Sequence, residues 1–364
     1  MKKLVFISLF ILIALILSGF TDAEQPANVN KEFEMIEEAL PDEAGEILED
    51  IAPDDPGAGE KGIEAIIKEI KSSGSIFKKA VSSATVILVI VLLSSIVLGV
   101  LEDGGVKDAV SLITIIAVAA ASIENADSYI NMGIETLNSL SGFSKTLLPT
   151  MCSAAASSGA LTSAGAKYAA TALFMDIIMT IGIKIIVPLI MLYLASVIAG
   201  AAFGKDTLGN ISKLLKWVCT TSLTLLVATF TTYLSVSGII TGKSDEMVSK
   251  ITKSALGTLL PVVGDTISSA AETIVAGAGI LRNSIGVFGM IGVATICVFP
   301  FIALGAYYLS FKAAAALSLA ISDKRMADLI DGVGSTFGML LALIGSAGII
   351  LFISLISSMK AVTG

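Results

Sequence analysis

Asp176 and Lys184 stand inside one apolar stretch, residues 169–203. Ionisable groups at bilayer depth are costly and mark ion or substrate passage when they occur. Eight residues of helix separate the two by roughly 12 Å, so they cannot pair on one straight helix. Each needs a partner on another helix or a route to the interface. Asp265 and Glu272 form a second polar pair, on one helical stripe with Ser268, Ser269, Ala276 and Gly279. Such a face suits a water-filled passage or a partner contact. It suits an amphipathic helix at the membrane surface equally well.

Other chemistry is thinly provided for. The chain has no His, which removes the commonest general base, metal ligand and pH switch. Cys152, Cys219 and Cys297 are far apart and read as small buried hydrophobes, not as a disulfide framework or metal site. The glycines from Gly286 to Gly292 lack the Lys-Ser/Thr of a phosphate-binding loop and suit close helix packing. No nucleophile has a base beside it. The expectation is no catalytic, cofactor-binding or metal residue and no cofactor. An energy-driven process would need its ATPase on another chain.

The elements that carry these residues are set by composition. Of the 364 residues 55% are hydrophobic and 15% charged, with mean hydropathy +0.90, so lipid is the main solvent. The net charge of −8 is unevenly spread. Residues 22–75 hold 16 acids against 4 Lys; the rest holds 15 acids and 19 bases. No basic cluster argues for nucleic acid.

Lys2-Lys3, the apolar run Leu4 to Leu17 and small residues near Ala23 have the order of an export signal, residues 1–23. Residues 24–79 then form an acidic extracytoplasmic head of short amphipathic helices. Its last helix carries the stripe Ile63, Ile66, Ile67, Ile70 and is expected to lie on the membrane. Residues 80–364 read as an all-α polytopic membrane domain with about six spans. These are Ala80–Leu101, Val106–Ile123, residues 169–203, Leu214–Ile240, Ile285–Leu309 and Val333–Ile356. Interfacial helices are expected at 124–145 and 241–257, small-residue helices at 150–168 and 262–282, and an amphipathic connector at 312–331.

Thr146-Leu147-Leu148-Pro149 reappears as Thr258-Leu259-Leu260-Pro261, and Pro149 to Pro188 and Pro261 to Pro300 both span 39 residues. Gly165-Ala166 maps onto Gly277-Ala278 at the same offset of 112. The pattern is that of an internal duplication, with units of about 109–210 and 221–322. The charges do not follow it. Asp176 and Lys184 map onto Phe288 and Ile296, and Asp265 and Glu272 onto Ser153 and Ala160. Pro188 and Pro300 are expected to kink their helices, and Pro149 and Pro261 to mark the start of small-residue helices. Gly200/Gly204 and Gly334/Gly338 have the spacing of close-packing faces.

Orientation is weakly coded. With an exported head, connectors 101–108, 203–216 and 312–331 carry seven basic residues: Lys107, Lys205, Lys213, Lys216, Lys312, Lys324 and Arg325. The opposite segments carry six, too small a bias for the positive-inside rule.

The order Leu259-Leu260-Pro261-Val262-Val263-Gly264, then Gly279-Ile280-Leu281-Arg282-Asn283-Ser284-Ile285-Gly286, Phe299-Pro300-Phe301 and Phe311-Lys312-Ala313-Ala314-Ala315 resembles the stage III sporulation protein AE family. The likeness covers nearly all of residues 80–360. It implies a subunit of a channel across the two membranes between mother cell and forespore, seated in the mother-cell membrane. Implied partners are other stage III A-group sporulation membrane proteins, their cytoplasmic ATPase and the forespore-side stage II Q protein, with membrane lipid around it. Self-association into a homo-oligomer is left open. Some relatives carry a Pro soon after the Lys-Ala-Ala run; Leu317 to Ser322 has none. The competing readings are a secondary transporter or permease with a site between its repeats, and a membrane-embedded enzyme, for which the residues above offer no centre.

Overall fold

The computed structural model describes residues 29–49, 51, 57–102, 104–157, 161–204, 206–236 and 284–363. Among these every regular element is helical. In chain order they are α1 Val29–Glu38, α2 Asp42–Leu48, α3 Ala58–Ser72, α4 Gly74–Val100, α5 Gly105–Ser157, α6 Leu161–Ile181, a π-helical turn Gly182–Ile186, α7 Val187–Phe203, α8 Asp206–Val236, α9 Ser284–Ile321 and α10 Lys324–Thr363. Six helical segments are long and apolar enough to cross a membrane. The protein is a multi-pass membrane protein of the all-α class. Residues 1–23, expected to be an export signal, lie outside the described residues.

Hydropathy alone does not say which spans meet lipid; burial does. In the most apolar windows of α9 and α10, 78% of residues are buried, against 22% for the α3–α4 span and for α8. The α9–α10 hairpin is therefore the centre, and α4, α5, α7 and α8 face outward with Leu93, Ile113, Leu192 and Leu225 exposed. Small residues let the central pair close up. A Cβ on Gly334 would meet Phe311 at 3.2 Å, on Gly338 the Tyr308 ring at 2.8 Å, on Gly345 the Phe301 ring at 2.9 Å and on Gly348 Cys297 Sγ at 3.0 Å. These four contacts run in antiparallel order along both helices, as small-residue packing requires. Tyr129 and Tyr307 meet beside them at 4.4 Å between ring centroids, with Phe337 at 5.3 Å from Tyr307. The Tyr307 hydroxyl donates to Asn125 Oδ1 at 3.3 Å, which satisfies a polar group buried in an apolar bundle.

Three expectations change. Residues 312–331 are not an amphipathic connector: α9 runs to Ile321 and α10 starts at Lys324, so the reversal is a tight turn. The Ser322 N–H closes onto the Ser318 carbonyl, and the Asp323 carbonyl receives the N–H groups of Met326 and Ala327. With no Pro between Leu317 and Ser322, nothing stops the helix earlier. Residues 124–145 are not a separate interfacial helix, because α5 continues for 53 residues through Pro149 to Ser157. Pro149 is exposed, so its ring points away from the packed side. The stripe of α3 that packs is Ala58, Gly62 and Ile66, with Gly62 against Ile291 of α9, while Ile67 and Ile70 stay exposed. Small residues win that contact because α3 lies close to the hairpin.

The outer face of α5 locates a boundary. Up to Ile123 its exposed residues include Val106, Leu112, Ile113 and Ile116. From Glu124 they are polar: Asp127, Ser128, Asn131, Glu135 and Asn138. Lipid suits the first set and water the second. The last 34 residues of α5, roughly 50 Å of helix, thus turn a polar face outward. They pack with α1, α6, the start of α9 and α10, as in the contacts of Gly292 with Phe143 and of Gly133 with Leu340 and Ile344. Cysteines placed at Asn131 and at Asp323, with the native cysteines changed to alanine, should react with an impermeant maleimide from opposite sides of the membrane. Labelling of both from one side of sealed cells would contradict this boundary.

Candidate functional site

The four polar residues read from the sequence do not converge. Asp265 and Glu272, with Pro261, lie outside the described residues. Asp176, on α6, pairs with Lys145 of α5 at 2.7 Å, and the side chains are 51% and 62% exposed. Lys184 is exposed on the π-helical turn, two turns further on. An ion pair this open is worth about 0–1 kcal/mol, since water competes for both partners. Asp176→Asn should leave the thermal midpoint in detergent within about 2 °C of wild type.

The proline and glycine candidates have structural places. Pro188 is the second residue of α7 and follows the π-helical turn, where the wider backbone absorbs its missing donor. Pro300 is buried inside an unbroken α9. Gly204 ends α7 in the left-handed conformation, φ 61°, its N–H on the Gly200 carbonyl at 3.0 Å. A Cβ there would sit 2.6 Å from the Arg325 guanidinium. Gly200 faces the start of α8, with Leu208 Cβ at 3.6 Å. Both glycine pairs therefore pack within this chain. Cys219 and Cys297 are free and buried, and no group of three or more metal-ligating side chains occurs among the described residues.

A different set of charged residues meets between α7, α8, α9 and α10. Lys312 donates to Asp331 Oδ1 at 2.6 Å and to Ser335 Oγ at 2.9 Å. Lys216 donates to the same Ser335 Oγ at 3.0 Å. Tyr193 also interacts with Ser335, and the Lys312 ammonium sits 5.8 Å from the centre of the Tyr308 ring. Ser335 is 4% exposed. Two ammonium groups that share one hydroxyl lie within about 6 Å of each other, and at an effective dielectric of about 20 they repel by about 3 kcal/mol. Asp331 offsets one of them. The expected connectors 203–216 and 312–331, which held Lys216, Lys312 and Asp331, are thus corrected: all three residues lie within helices. In sequence the only sign is that the apolar run resumes after Lys312. Leu309 and Leu317 flank Lys312 with apolar residues exposed on the outside, and Asp331 and Ser335 are one helical turn apart.

Architecture and site together define a helical polytopic membrane protein with a charged cluster and no assembled catalytic centre among the described residues. The chain belongs to the stage III sporulation protein AE family, whose description matches residues 53–361. Its role is therefore in sporulation, and the family's description names no enzymatic activity. It is similar to the stage III sporulation protein AE of Bacillus subtilis (strain 168), with 23% identity over 226 residues. The match covers 62% of this chain and 57% of that relative, so the chain spans little more than half the length of the curated relative it matches. No solved structure matches.

Proposed function

We propose that this protein is a non-enzymatic scaffold and channel subunit of a transenvelope complex between mother cell and forespore. It is seated in the mother-cell membrane with its head outside the cytoplasm. Its partners are other stage III A-group membrane proteins, a cytoplasmic ATPase on a separate chain and the forespore-side stage II Q protein. The observation that carries the reading is the α9–α10 hairpin, sealed by glycine contacts and wrapped by the remaining helices, with the second half of α5 packed on it by one face and turning a polar face outward. That is a rigid core with a polar outward face, which suits assembly. One observation favours a secondary transporter: the Lys216–Lys312–Asp331 cluster lies between helices, where intramembrane charges serve transport. Deleting the gene should lower the yield of heat-resistant spores by orders of magnitude and leave vegetative growth unchanged. A deletion strain that sporulates normally would overturn the proposal.

A further inference from the structure

The charged cluster has more positive charge than it uses. Asp331 holds Lys312, and among the described residues no carboxylate lies within ion-pair distance of Lys216. Both ammonium groups nevertheless aim at one buried hydroxyl, Ser335 Oγ. Holding two cations there with a single carboxylate leaves one positive charge without an offset, which is unfavourable. The groups that converge come from four helices: the donors Lys216, Lys312, Ser335 and Tyr193, with one carboxylate, Asp331. Several donors around a positive excess suit a phosphate, whose oxygens accept many hydrogen bonds.

The α8 side of the cluster has polar and aromatic neighbours. Asn210 and Lys213 are exposed on α8 just before the cluster, and Leu225 is exposed beyond it. Between them Trp217, the one Trp of the chain, is 62% exposed beside Lys216. Trp favours the boundary between hydrocarbon and water. The Lys312 and Asp331 side chains are 26% and 46% exposed, so the cluster is open to a ligand. Basic pockets between spanning helices bind lipid phosphates. We propose that Lys216, Lys312 and Ser335 form a binding site for a phosphate group, supplied by an anionic phospholipid or by a soluble phosphate.

Trp217 provides the readout. The full chain, in uncharged detergent, is titrated with dioctanoyl phosphatidylglycerol and separately with inorganic phosphate, following its fluorescence. A saturable change is expected. The pair K216Q/K312Q should raise the midpoint by about 10-fold or more, because it removes both charge-assisted donors. K213Q removes the same charge from an exposed neighbour and should shift the midpoint by less than about 2-fold. Asp331→Asn removes the competing carboxylate and should lower it. Saturation by the lipid alone assigns a headgroup site; saturation by phosphate, with or without the lipid, assigns a soluble ligand. Both support the proposal. No saturation by either probe overturns it, as does a K213Q effect equal to that of the pair. If the paired variant fails to fold, Asp331→Asn decides: an unchanged or raised midpoint overturns the site.

Discussion

Gly338→Leu should abolish the folded protein. A Cβ at this position would already lie 2.8 Å from the ring of Tyr308, a residue buried to 9% exposure at the centre of the bundle. A rigid ring between packed helices cannot swing aside as the tip of a flexible side chain can. Overpacking of this kind costs about 1–3 kcal/mol for small additions and more when backbones must separate. Gly338→Ala should therefore lower stability by about 1–3 kcal/mol. The leucine variant adds three further carbons to the same contact and should fail to accumulate, or aggregate on extraction. Gly99 is the matched comparison, since a Cβ there meets nothing within 4 Å. Gly99→Leu should behave as wild type. Thermal unfolding and gel filtration in detergent check both. Equal behaviour of the two leucine variants would show that the α9–α10 contact does not hold the bundle together.

Asp331→Asn should have the next largest effect on stability. It leaves Lys216 and Lys312 sharing Ser335 with no carboxylate to offset either charge. Removing one partner of a fully buried pair costs about 3–5 kcal/mol. Here the partners are 26% and 46% exposed, so water reduces the loss to about 1–2 kcal/mol. Adding Lys312→Gln removes the stranded charge and should recover part of the loss. A double-mutant cycle on thermal midpoints measures the coupling. A cycle that closes to zero would mean that the pair is as weak as the open Lys145–Asp176 bridge.

The contrast between these two ion pairs shows what was legible. Hydropathy identified six spans, because runs such as Ala80–Leu101 are apolar on every side and lipid needs nothing more specific. It could not separate α9 and α10 from the outer helices, since a helix shielded by protein and one shielded by lipid have the same composition. Nor could it place Lys312. The charge interrupts an apolar run, which reads as an exit from the membrane, yet the alanines and leucines after it continue α9 to Ile321. Asp176 was the more conspicuous residue in sequence and proved the more exposed one. Pro149 misled for a related reason: a Pro on the open side of a long helix can be accommodated, and periodicity does not reveal which side is open. The glycines were flagged by spacing, but spacing does not say whether the partner helix is in this chain or in another.

Isolation of the tagged full chain from sporulating cells in a mild detergent, with mass spectrometry of what accompanies it, tests most directly whether this subunit works by assembly. The account predicts that other sporulation membrane proteins and an ATPase accompany it. It also predicts that Asp176→Asn changes neither that set nor spore yield. A chain isolated alone, or an Asp176→Asn strain that keeps the complex intact yet makes no spores, would contradict it and point to ion- or substrate-coupled passage through this subunit.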